Sequence, residues 1–65
     1  MTGEDLKRWR ELHKMSQQAA ANAIGCSKMS IVNWEGGRKI PLYIAMACTA
    51  IALDLKPWPW PATKI

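Results

Sequence analysis

Apolar and polar positions divide the chain into four short helical stretches separated by capped turns. The first is predicted from about Gly3 to Lys14. Thr2 can cap it, Glu4 and Asp5 place negative charge at its positive end, and Leu6, Trp9 and Met15 face inward with Leu12 or His13 half-buried. Lys7, Arg8, Glu11 and Lys14 form its solvated face. A second helix is expected from Gln17 to Ile24, behind Ser16 as N-cap and Met15 as the outer half of a hydrophobic staple. Its alanine-rich run has high helix propensity. Gly25 suits the left-handed position that ends a helix, Ser27 caps a third helix two residues later, and Gly36-Gly37 stops that helix after Trp34 and Glu35. Pro41 suits the first position of a fourth helix, LYIAMACTAIAL, which is apolar nearly all round. Ile44, Ala47, Cys48 and Ile51 make one stripe on it, and Leu42, Met46, Thr49, Ala50 and Leu53 make another.

The middle pair carries most of the functional information. Two helices of about eight residues joined by so short a turn must cross steeply, as in a helix-turn-helix. On the second of them Ile31 and Trp34 point inward, while Lys28, Met29 and Asn33 fall on one outward face shaped to enter a DNA major groove. Lysine can donate to guanine O6 and N7, asparagine can pair with adenine, and Met29 can pack on a thymine methyl. Val32 is outward by the same period, toward the edge of the groove. Arg38 and Lys39 follow a flexible glycine turn and are placed to meet phosphates, with Ser30 as a further phosphate candidate. Ser27 spends its hydroxyl on capping.

Composition narrows the alternatives. With 65 residues there is room for one domain with a thin core. Nine basic against five acidic residues give +4 and a sequence pI near 9.4, a balance that suits a polyanion. Met1 is followed by polar residues rather than by the apolar run of a signal peptide, and the Leu42–Leu53 stretch is too short to span a bilayer. A cytoplasmic chain without membrane contact is therefore expected. Cys26, Cys48 and His13 are too scattered for a zinc site, and a disulfide is not expected in a cytosolic chain. One histidine, no nucleophile beside a base and no phosphate loop argue against an enzyme, and no cofactor is called for.

The carboxyl-terminal tail, Lys56-Pro57-Trp58-Pro59-Trp60-Pro61, divides the chain into a domain over 1–55 and an extended segment over 56–65, because alternating prolines forbid a helix. Trp58 and Trp60 either fold back over the small core or reach across to a second subunit or another protein. Leu42, Met46, Ala50 and Leu53, with one or both of these tryptophans, form the expected interface of a homodimer, since a monomer of this size cannot bury both stripes.

Ser16-Gln17, Ile24-Gly25-Cys26-Ser27, Ile31, Trp34-Glu35-x-Gly37 and Pro41 resemble the helix-turn-helix of phage Cro and lambda-type repressors, the group often called the xenobiotic-response-element family. The likeness covers about residues 6–53. It implies an all-α fold, a compact bundle of four short helices, with Leu6, Trp9, Ile24, Ile31 and Trp34 as structural core. It also implies that Arg10 pairs with Glu35 to clamp the first helix to the third. By the same resemblance Gln17 anchors a phosphate and braces the first recognition side chain, and Lys28, Met29 and Asn33 occupy base-reading positions. Cys26 stands where the family usually has a buried aliphatic in the turn. Many members continue into a fifth helix where this chain has its proline tail. The implied function is a sequence-specific regulator, most simply a small repressor of phage or mobile-element type, binding double-stranded DNA at an inverted-repeat operator as a dimer. No small-molecule effector is expected of a four-helix domain. The competing reading is a protein-interaction module or antitoxin-like accessory protein that reuses the fold through its apolar helix and Trp-Pro tail.

Overall fold

The computed structural model describes residues 1–56; the expectations for the tail, including Trp58 and Trp60, lie outside the described residues. Within them the chain forms four helices: α1 (Gly3–Leu12), α2 (Gln17–Ile24), α3 (Lys28–Glu35) and α4 (Leu42–Ala52). Each of the first three starts where a side-chain oxygen can satisfy amides that the helix leaves unpaired. Thr2 accepts from the Asp5 amide while the Asp5 carboxylate accepts from the Thr2 amide, closing a reciprocal capping box at 3.1 and 2.8 Å. Ser16 accepts from the Ala19 amide and Ser27 from the Ser30 amide. Pro41 is the N-cap of α4 rather than its first helical residue, and it has no side-chain oxygen to offer.

All four helices end at a residue of positive φ, and in α1, α3 and α4 two successive amides then donate back to two different terminal carbonyls. After α3 this residue is Gly37 (φ 115°), and the amides of Gly37 and Arg38 donate to the carbonyls of Trp34 and Asn33. After α1 it is Lys14 (φ 55°), with the amides of Lys14 and Met15 donating to Glu11 and Arg10. After α4 it is Asp54 (φ 57°), with Leu55 donating to Ala50. Helix α1 therefore stops at Leu12, two residues short of the expected Lys14. The reversal turns Leu12 and His13 outward: both are exposed, not half-buried, and Leu12 retains 75 % of its surface. His13 instead tilts against the Trp9 ring with centroids 5.4 Å apart.

The core is Leu6, Trp9, Ala20, Ala21, Ile31, Trp34, Ile44 and Cys48, drawn from all four helices. Ile24 and Met15, both expected inside, are half-buried and pack on its margin together with Cys26, Ile40 and Ile51. The two alanines sit where α2 meets its neighbours, and their small size lets the helices approach closely. In α4 the stripe of Ile44 and Cys48 faces inward, with Ala47 and Ile51 half-buried beside it. Leu42, Met46 and Leu53 on the other stripe are exposed. The Trp9 indole reaches across this core to donate to the Cys48 carbonyl at 3.1 Å, tying α1 to α4 by a buried hydrogen bond. Cys48 acts as a small apolar group: burial first, and the nearby Cys26 second, push its thiol up to about 11, so it stays protonated.

A close approach also fixes the start of α1. A side chain at Gly3 would run into the backbone carbonyls of Trp34 and Glu35, which are held by α3 and cannot swing aside. Gly3→Ala is therefore expected to push α1 off the end of α3 and to cost about 1–3 kcal/mol, the usual penalty of overpacking. Urea denaturation measures it; a variant as stable as the parent would mean that the two helices part freely at this point.

Candidate nucleic-acid interface

Two helices locked at a fixed angle make the site, and the lock is polar. Arg10, on α1, reaches the end of α3: its Nε donates to Glu35 Oε2 at 2.8 Å and its second terminal nitrogen to Oε1 at 3.0 Å. The remaining terminal nitrogen donates to the Met15 carbonyl at 3.1 Å, so the guanidinium also holds the α1–α2 turn. Both side chains are largely withdrawn from water, at 13 % and 9 % exposure. Gln17, the first residue of α2, adds a third strand to the lock by donating from Nε2 to Glu35 Oε1 at 3.3 Å. Glu35 thus collects donors from α1 and α2 while belonging to α3. Its carboxyl lies below the ordinary value of 4.5 because Arg10 hydrogen-bonds it; Gln17 and the charge of Lys7 act in the same direction, against the opposing effect of burial. In this structure the Gln17 amide nitrogen is turned toward Glu35.

This lock and the buried Ile31 and Trp34 hold α3 with a defined outer face. At about 100° per residue, the side chains of Lys28, Val32, Met29 and Asn33 follow one another in that order around an arc of about 140°. Trp34 lies almost diametrically opposite the middle of the arc. Lys28 and Met29 are exposed, Val32 keeps 38 % of its surface and Asn33 is half-buried at the rim. Ser30 lies further round, beyond Asn33, half-buried and with its hydroxyl 3.0 Å from that of Ser27. Arg38 and Lys39 are exposed in the loop immediately beyond α3. The acidic residue of α3, Glu35, is engaged by Arg10 and Gln17, so its charge does not oppose the cations of this surface.

The structure accordingly gathers Lys28, Met29 and Asn33 on one helix face, sets Arg38 and Lys39 beyond the end of that helix, and brings Arg10 and Glu35 into contact. It draws Gln17 into the lock and leaves Ser30 on the flank. The Gln17–Glu35 bond, the Trp9–Cys48 bond and the Arg10–Met15 bond are not legible in the sequence. Each joins residues whose partner is set by the turns between helices, and no spacing along the chain signals them.

A tight αL turn at Gly25 (φ 91°) joins α2 to α3, and the amides of Gly25 and Cys26 both donate to the Ala21 carbonyl. No helix of the described residues is long and apolar enough to cross a membrane. Among known proteins, a family model described as helix-turn-helix matches residues 6–46, well over half of the chain. No curated protein and no solved structure matches it. The matched span begins at the core residue Leu6 of α1 and takes in α2, α3 and the first turn of α4, and so includes Arg10, Gln17 and Glu35 of the lock. The chain therefore belongs to the Cro/lambda-repressor-like helix-turn-helix family of DNA-binding domains.

Proposed function

We propose that this protein is a sequence-specific transcriptional regulator of cytoplasmic DNA, a small repressor of phage or mobile-element type that binds an inverted-repeat operator as a homodimer. The observation that carries the reading is the outer face of α3, where Lys28 and Met29 are exposed and Asn33 stands half-buried at the rim of a helix anchored by buried Ile31 and Trp34. In it, Lys28, Met29 and Asn33 contact bases. Arg38 and Lys39 contact phosphates, with Ser30 and Gln17 as neutral hydrogen-bonding groups at the same backbone.

Base contacts and phosphate contacts predict different phenotypes. Asn33→Ala is expected to cost about 1–3 kcal/mol on the preferred site and to relax one base position. Arg38→Ala should weaken binding to all duplexes alike and flatten the salt dependence by about one unit of slope. Fluorescence anisotropy at several salt concentrations measures both. An Asn33→Ala protein with unaltered affinity and preference would remove that residue from the reading surface.

The dimer rests on α4. Leu42, Met46 and Leu53 keep 76 %, 63 % and 65 % of their surface, with Ala50 half-buried between them. A two-fold contact through this stripe would cover it and set two α3 helices about one DNA turn, roughly 34 Å, apart. Sedimentation at micromolar concentration is expected to give a dimer, and Met46→Glu a monomer that still folds. A parent protein that stays monomeric and binds half-sites as tightly as full operators would overturn the two-fold arrangement.

A further inference from the structure

We infer that Met29 and Val32 make α3 a reader of the pyrimidine C5-methyl group, so that the protein distinguishes thymine from uracil and 5-methylcytosine from cytosine within each half-site. The inference rests on the DNA-binding reading above and adds to it the chemical feature that is read. Around α3, Val32 and Met29 occupy the middle of the outward arc, with Lys28 on one flank and Asn33 on the other. They are opposite Trp34, the residue that seats the helix in the core. The middle of the outward arc is therefore apolar and its margins are polar, with Met29 at 63 % exposure and Val32 at 38 %.

That arrangement restricts what the centre of the helix can recognise. Valine has no hydrogen-bonding group and methionine only a weakly accepting sulfur. Pressed against the edge of guanine, adenine or unmethylated cytosine, the pair would displace water from a donor or acceptor and return no hydrogen bond, which is unfavourable. The C5-methyl group is the apolar feature that a base pair presents in the major groove. Against it the same pair loses nothing and buries surface on both sides. The two side chains also complement each other: Val32 is stiff and fixes the position of the contact, while Met29 is flexible and polarisable and can follow the methyl group. Burying one methyl group corresponds to about a fourfold gain in affinity. Cytosine methylated at C5 carries the same group at the same place, so binding should respond to cytosine methylation at that position.

The test starts from selection of binding sites out of a random duplex library by the full chain. On the enriched site, each thymine is replaced singly by uracil, which removes the methyl group and leaves the hydrogen-bonding pattern unchanged. At any sensitive position a C·G pair is then compared with its 5-methylcytosine form. We expect uracil to cost about fourfold at one or two positions of each half-site, and methylation of cytosine there to recover about the same factor. Met29→Ala and Val32→Ala, both at exposed positions, should lower affinity for the thymine site and bring the thymine-to-uracil ratio close to one. Circular dichroism verifies that the variants fold. An enriched site at which no thymine can be distinguished from uracil overturns this inference and leaves DNA reading standing. So does a methyl preference that survives in both variants. Absence of duplex binding at low salt overturns the DNA-binding reading and this inference with it.

Discussion

Trp34→Ala is expected to unfold the protein, although Trp34 lies on the helix proposed to read DNA. The side chain retains 8 % of its surface and joins Leu6, Trp9 and Ile31 in the core. Removing a buried indole costs about 3–5 kcal/mol, part from lost apolar burial and part from a cavity that neighbours cannot fill. A domain of this length has roughly 3–10 kcal/mol to lose at the usual stability per residue. Trp34→Phe keeps most of the volume and should fold with a lowered midpoint. Far-ultraviolet circular dichroism during thermal melting gives the answer, and a cooperative, DNA-binding Trp34→Ala protein would contradict the packing. The matching expectation for Met29 and Val32 is the reverse, an effect on binding without one on folding.

Arg10→Ala has the second-largest expected effect, on the order of 3 kcal/mol. The substitution removes both bonds to Glu35 and the bond to the Met15 carbonyl, and leaves a carboxylate at 9 % exposure with Gln17 as its remaining hydrogen-bond donor. Arg10→Lys should recover little, because an ammonium cannot present the planar fork that meets both carboxylate oxygens. The same contact makes stability depend on pH. Arg10 lowers the folded-state value of Glu35, so its contribution is complete above the unfolded value near 4.5 and is lost as pH falls through the folded value. Melting temperature should therefore decline on acidification below about pH 4.5, and Glu35→Gln should abolish that share of the decline while being less stable at neutral pH. Urea and thermal denaturation of the variants between neutral and acid pH measure both effects. An Arg10→Ala protein as stable as its parent would show the contact to be incidental.

Much of this architecture is legible in the sequence because it is local. Ser16 and Ser27 mark helix starts, Gly25 and Gly37 mark helix ends, and the three-to-four spacing of Ile31 and Trp34 identifies the buried side of α3. None of these needs a distant partner. The end of α1 is not legible there, for the opposite reason. Nothing in Glu11-Leu12-His13-Lys14 forbids a helix, and the helix stops because Lys14 accepts a left-handed conformation while Met15 closes back onto Arg10. Leu12, inward in a continued helix, is consequently outward. Ile24, expected inside, is half-buried and packs on the margin of the core, while Ala20 and Ala21 are fully buried.

From the chain alone come the helix-turn-helix, its family, the outward set Lys28, Met29 and Asn33, and the two stripes of α4. The caps and stripes among them are each contained within about a dozen residues, and the family rests on a resemblance spread over about residues 6–53. The pairing of Arg10 with Glu35 was implied only by the family resemblance, and tertiary structure decided that Gln17, from a third helix, joins it. It also decided the hydrogen bond from Trp9 to the far side of the core and the need for glycine at position 3. These depend on the crossing angles of the helices, which the backbone turns and the packed interior set together. Residues 25 or 39 positions apart carry no shared period from which such a contact could be read.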